Sequence, residues 1–129
     1  MTEEEKIRNL LHHDLRVLGI DATGFELVLR PYSKTYYGRY MPKYKRVIVY
    51  VYADIYLENL YPYETIFSTV LHEVVHHIQW SDPDFKRVKG IMHDSEFYNI
   101  YNRLMRRHRI YKSVNRGDKS VSISKKDRN

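Results

Sequence analysis

Glu64-Thr65-Ile66-Phe67-Ser68-Thr69-Val70-Leu71-His72-Glu73-Val74-Val75-His76-His77-Ile78-Gln79-Trp80 reads as one helix. Its apolar residues recur at i, i+1, i+4, i+5, i+8, i+9 and i+12 from Ile66 to Ile78, which makes a broad face for burial. Pro62 precedes it, Glu64 puts an acid in the first turn, and Ser81-Asp82-Pro83 ends it. On such a helix His72 and His76, four residues apart, lie one above the other. Both imidazoles can then reach one metal ion, with Glu73 beside a water on that ion. Two ligands and a base from one helical turn predict a metal-dependent hydrolase, with a peptidase as the first expectation.

A catalytic zinc takes three protein ligands and leaves a fourth position for water. The segment His93-Asp94-Ser95-Glu96-Phe97 offers two candidates for the third, His93 and Glu96, and spacing alone does not choose between them. Asp94 or Ser95 is a good N-cap for a further helix, whose apolar face is Phe97, Ile100, Tyr101, Leu104 and Met105.

Upstream, Thr2-x-x-Glu5 is a capping-box pattern, and Ile7, Leu10, Leu11, Leu15 and Leu18 continue as a helical stripe to Gly19. Phe25 to Arg30 alternates as a strand does and is closed by Pro31. Tyr36 to Tyr40 is a second, short strand weakened by Gly38, and Arg46 to Tyr52 is the densest in Val, Ile and Tyr. Asp54 to Tyr61 is a short helix or an irregular connection. Strands followed by helices predict an α+β domain over residues 1–112. It has an N-terminal helix, a short antiparallel sheet packed on the metal helix, and a C-terminal helix. From Ser113 apolar content falls away, and 113–129 reads as a basic, disordered tail.

With 129 residues and no Cys, the chain has no disulfide scaffold, thiolate metal site or Cys nucleophile. Neither a signal peptide nor a membrane-length apolar run is visible, so a cytoplasmic protein without membrane contact is expected. The net charge of +6 is unevenly placed: Arg103 to Asn129 carries ten Lys/Arg against two Asp, and the rest of the chain is slightly acidic. Such a tail can bind DNA phosphates by counterion release. A second basic stretch, Lys34 to Arg46, is threaded with Tyr32, Tyr36, Tyr37, Tyr40 and Tyr44, and tyrosines beside cations can stack on unpaired bases. The remaining histidines carry weaker expectations. Of His12 and His13 at most one faces the core, His77 lies beside the ligand face, and His108 suits the C-terminal end of a basic helix. Tyr36, Tyr37 and Tyr40 are equal candidates for an oxyanion donor.

His72-Glu73-x-x-His76 followed by His93-Asp94-x-x-Phe97 resembles the SprT-like metallopeptidases, which include the Spartan-type DNA–protein crosslink proteases. Tyr37-Gly38-Arg39-Tyr40 and Arg46 to Tyr52 are similar to that family's strands before the active helix. The likeness spans roughly residues 5 to 110. It implies a zincin-like fold, Zn²⁺ held by His72, His76 and His93, Glu73 as general base, and Phe97 as a core anchor. The implied substrate is protein on or near DNA, with a role in DNA repair and a cytoplasmic, DNA-associated location. The Cys-rich zinc ribbon carried by several members is absent here. The alternatives are a DNA-binding accessory protein with a structural or vestigial zinc site, or a different zinc amidase.

Overall fold

The computed structural model describes residues 1–85 and 92–115. Three helices and a three-stranded mixed sheet form an α+β unit, in the order α1 (Glu3–Val17), β1 (Glu26–Arg30), β2 (Gly38–Met41), β3 (Arg46–Tyr50), α2 (Tyr63–Ser81) and α3 (Ser95–Asn115). Thr2 caps α1 by accepting the Glu5 N–H at 3.1 Å. Ile7, Leu11 and Leu15 turn inward, whereas Leu10, expected on the same stripe, faces solvent.

The sheet corrects one expectation. Its order is β1-β3-β2, with β3 parallel to β1 and antiparallel to β2. A meander would have been antiparallel throughout. Here the chain passes over the place of β3 before forming β2, then turns back through Pro42–Tyr44 and a left-handed Lys45 (φ 48°). Burial explains the choice. Val47, Ile48 and Val49 are all buried, as a central strand requires, whereas every residue of β2 is half-buried or exposed and suits an edge. Gly38 is obligatory in that edge. A Cβ there would lie 2.7 Å from Thr69 Cγ2 and 2.8 Å from the Ile48 carbonyl oxygen, so only glycine lets β2 lie this close to α2.

The core joins α1, the sheet and α2 through Leu11, Leu15, Leu27, Leu29, Val47, Val49, Phe67, Val70, Leu71, Val74 and Val75, and reaches α3 at Phe97 and Leu104. The stretch Asp54 to Tyr61 is an irregular connection, pinned by the Asp54 carboxylate accepting from the Glu58 and Asn59 N–H groups. Helix α3 runs through Asn115 with Ser113 buried, so the helix takes the first three residues assigned to the tail. Residues 116–129 lie outside the described residues. Among the described residues no helix is long and apolar enough to cross a membrane.

Candidate metal centre and its cleft

Helix α2 delivers His72 and His76 to one side, and His93 arrives from just before α3. Their ligand atoms lie within 4.8 Å of one another. His93 Nε2 is 3.0 Å from His72 Nε2 and 3.1 Å from His76 Nε2. One imidazole N–H cannot serve two such neighbours at once, so hydrogen bonding alone does not account for the convergence. Two of the three separations are a few tenths of an ångström shorter than the roughly 3.3–3.4 Å between nitrogens on a tetrahedral zinc with Zn–N of about 2.0–2.1 Å, so the three imidazoles could share one cation. Burial, and then His93, lower the pKa of His72 and favour the neutral imidazole that a metal requires. Among the described residues the group is His72, His76 and His93, with no fourth His, Asp or Glu in it. The donor set therefore fits a borderline-soft metal ion, with the metal itself not fixed by it.

Phe97 is the floor of this cluster. It is fully buried, and its ring lies 4.8, 4.7 and 4.9 Å from those of His72, His76 and His93. Its own N–H is capped by Asp94 Oδ1 at 2.8 Å. Gln79, one turn beyond His76 and 3% exposed, donates to Asp94 Oδ1 at 3.2 Å and to Glu96 Oε1 at 3.4 Å. The end of α2 thus grips the start of α3 on both carboxylates, with His93 immediately before the capping residue Asp94. The same contact engages Glu96 away from the histidines, so the geometry takes His93 into the cluster and leaves Glu96 out.

Glu73 is buried between β2 and α2, and desolvation pushes its carboxyl up to about 7. Two cavities open on it. One, about 390 Å³, is lined by Thr35, Tyr36, Tyr37, Gly38, Ser68, Thr69, His72, Glu73 and Tyr101. The other, about 500 Å³, shares Tyr36, Gly38, His72 and Glu73 and adds Arg39, Tyr40, Pro42, His76, Trp80, Met92 and His93. The cleft therefore extends to both sides of Glu73.

The remaining expectations divide. Tyr36 and Tyr37 line the cleft, but the Tyr40 hydroxyl is engaged with His77 Nδ1 at 2.8 Å. His77 sits beside the ligand face, ringed by Phe25 and Tyr40, and does not join the metal cluster. His12 is half-buried and His13 exposed. His108 departs furthest from expectation. It is 2% exposed, stacks on Phe67 at 3.8 Å, and meets the fully buried Asp14 at 3.1 Å. Tyr63 donates to the same Asp14 oxygen at 2.6 Å, and Lys112 stands 3.2 Å away. Burial disfavours the Asp14 anion, but these three partners outweigh it and hold its carboxyl below the usual range. Sequence reading also missed Gln79, Trp80 and Tyr101. The only available signal was helical spacing, Gln79 three residues past His76 and Tyr101 four past Phe97.

On the surface, Tyr36, Tyr37 and Tyr44 are exposed, with Arg39 over Tyr36 at 4.7 Å and Lys43 and Arg46 over Tyr44 at 5.6 and 5.2 Å. Comparison with family models, curated proteins and solved structures finds no match to this chain.

Proposed function

We propose that this chain is a zinc-dependent metallopeptidase of the SprT-like kind, built on a zincin-like arrangement of His72, His76, His93 and Glu73. The observation that carries the reading is the convergence of three imidazole nitrogens beside a buried carboxyl at the meeting point of two cavities. When bound, Zn²⁺ supplies Lewis-acid polarisation and acidifies water. His72, His76 and His93 hold it as neutral donors. Glu73 takes the proton from the attacking water and returns it to the leaving amine. Its burial supports both steps, because a carboxyl with a proton affinity near neutrality can accept and then give up the same proton. Tyr36 or Tyr37, from the cleft wall, would steady the developing oxyanion. A cleft that continues on both sides of Glu73 suits an internal bond of an extended chain.

The substrate class we infer is protein associated with DNA, in a cytoplasmic, DNA-associated setting with a role in DNA repair. The exposed Tyr–Arg/Lys surface beside the cleft supports this. The rival, a structural zinc in a DNA-binding accessory protein, leaves a buried, proton-attracting Glu73 without a use. The test is metal analysis of purified protein with a casein or histone cleavage assay, with and without single-stranded DNA. One zinc per chain and cleavage lost on chelation support the reading. Retention of stoichiometric zinc by His93→Ala but not by Glu96→Ala would reassign the third ligand, and absence of zinc-dependent cleavage would refute the peptidase.

A further inference from the structure

The two cavities that meet at Glu73 differ in chemistry. The smaller one is walled by hydroxyl-bearing side chains, Thr35, Ser68, Thr69 and Tyr101. The larger one sets Trp80, Met92, Tyr40 and Pro42 around the His76 and His93 side of the cluster. Tyr40 presents its ring there, because its hydroxyl is engaged by His77. Trp80 is 45% exposed and Met92 58% exposed, much apolar surface left in water beside the candidate metal. Among the described residues, the charged group on this wall apart from the cluster residues is Arg39, whose guanidinium lies over Tyr36.

We propose that the larger cavity is a specificity pocket for a large, uncharged apolar side chain, such as Phe, Leu or Met, next to the bond that is cut. Trp80 and Met92 are its selecting residues. This rests on the metallopeptidase reading. Three features favour that occupant. Ring faces and a thioether gain from covering apolar surface, and Met adapts its shape to the guest. A volume of about 500 Å³ is that of a ligand site, whose usual range is roughly 300–1,000 Å³. The pocket also adjoins the imidazoles, so its occupant is tied to the reacting carbonyl. The hydroxyl-lined cavity, by contrast, suits a small or polar neighbour on the other side of the bond.

Trp80 is the only tryptophan in the chain, so intrinsic fluorescence reports directly on this pocket. The probes are hydroxamates added to zinc-loaded wild-type protein. Acetohydroxamate has no side chain and reads the metal centre alone. Matched hydroxamates carry Phe, Leu, Ser or Asp side chains on either side of the chelating group. The Phe and Leu probes are expected to bind roughly 10- to 100-fold tighter than the Ser probe and to shift Trp80 emission. Met92→Ala, a change at an exposed position, should cut the ratio of Phe-probe to Ser-probe affinity several-fold. Equal affinity for Phe and Ser probes would overturn the pocket while leaving the metal centre intact. Preference for Asp would also overturn it and assign the cavity to Arg39. Failure of acetohydroxamate itself to bind would overturn the metal reading together with the pocket.

Discussion

Glu73→Gln should stabilise the metal-free protein, and increasingly so as pH rises. In the folded chain burial pushes the Glu73 carboxyl up to about 7, against an ordinary 4.5. Between those values the folded state holds a proton that the unfolded chain has lost. Stability therefore falls as pH rises from the ordinary value through the folded one. Glutamine keeps the shape and never ionises, so the gap between the two proteins isolates this one group. At 1.36 kcal/mol per pKa unit, the gap should move in favour of Gln by about 2–3 kcal/mol between pH 5 and pH 8. Urea unfolding of both proteins with chelator present, at pH 5, 6.5 and 8, measures it. A gap that stays constant across that range would refute the claim that Glu73 is held desolvated. A growing gap would show stability sacrificed at one carboxyl, the usual mark of a site kept for chemistry.

Three further outcomes follow from the same geometry. Gln79→Met keeps the packing but removes the donor to Asp94 and Glu96, so zinc affinity should fall by roughly 10- to 100-fold. Gln79→Lys, which can donate to both carboxylates, should recover most of it, as zinc titration would show. Asp14→Ala should cost about 3–5 kcal/mol in urea unfolding at neutral pH, because it strands His108, Tyr63 and Lys112 around a buried void. The Asp14 carboxyl is held low, so its contribution is present above its ordinary range and is lost as pH falls through the folded value; the penalty should shrink only in strong acid. For DNA, removing residues 116–129 should weaken binding to any sequence and flatten its salt dependence. Replacing Tyr36, Tyr37 and Tyr44 by Ala should weaken single-stranded binding more than double-stranded, in anisotropy titrations at two salt concentrations.

What the chain reveals before folding follows from how local each signal is. Helix α2 was legible because periodicity, an acidic first turn and the breaker at Ser81-Asp82-Pro83 all act within one element. His93 was a candidate and no more, since its place depends on Asp94 capping α3 and on Gln79 reaching across from α2. The parallel pairing of β1 with β3 was hidden because alternation says which face a strand buries and nothing about which neighbour it takes. Gly38 marks Tyr36 to Tyr40 as a weak strand in the sequence, but its place at the sheet edge comes only from the structure. The Asp14–His108 pair was the least legible. Its residues are 94 apart in sequence, and a lone Asp on α1 and a lone His on a basic helix each suit the surface. Only the packing of α1, α2 and α3 brings them together with Tyr63 and Lys112.

The central claim is an open centre of three imidazoles, and zinc K-edge absorption spectroscopy of the zinc-loaded protein addresses it most directly. The account predicts three imidazole nitrogens at about 2.0–2.1 Å and one further light atom from water. His93→Ala should bind zinc more weakly, and the zinc it still holds should show one imidazole fewer in the fitted shell. Two imidazoles with a carboxylate in the wild type, or a shell unchanged by the loss of His93, would contradict it.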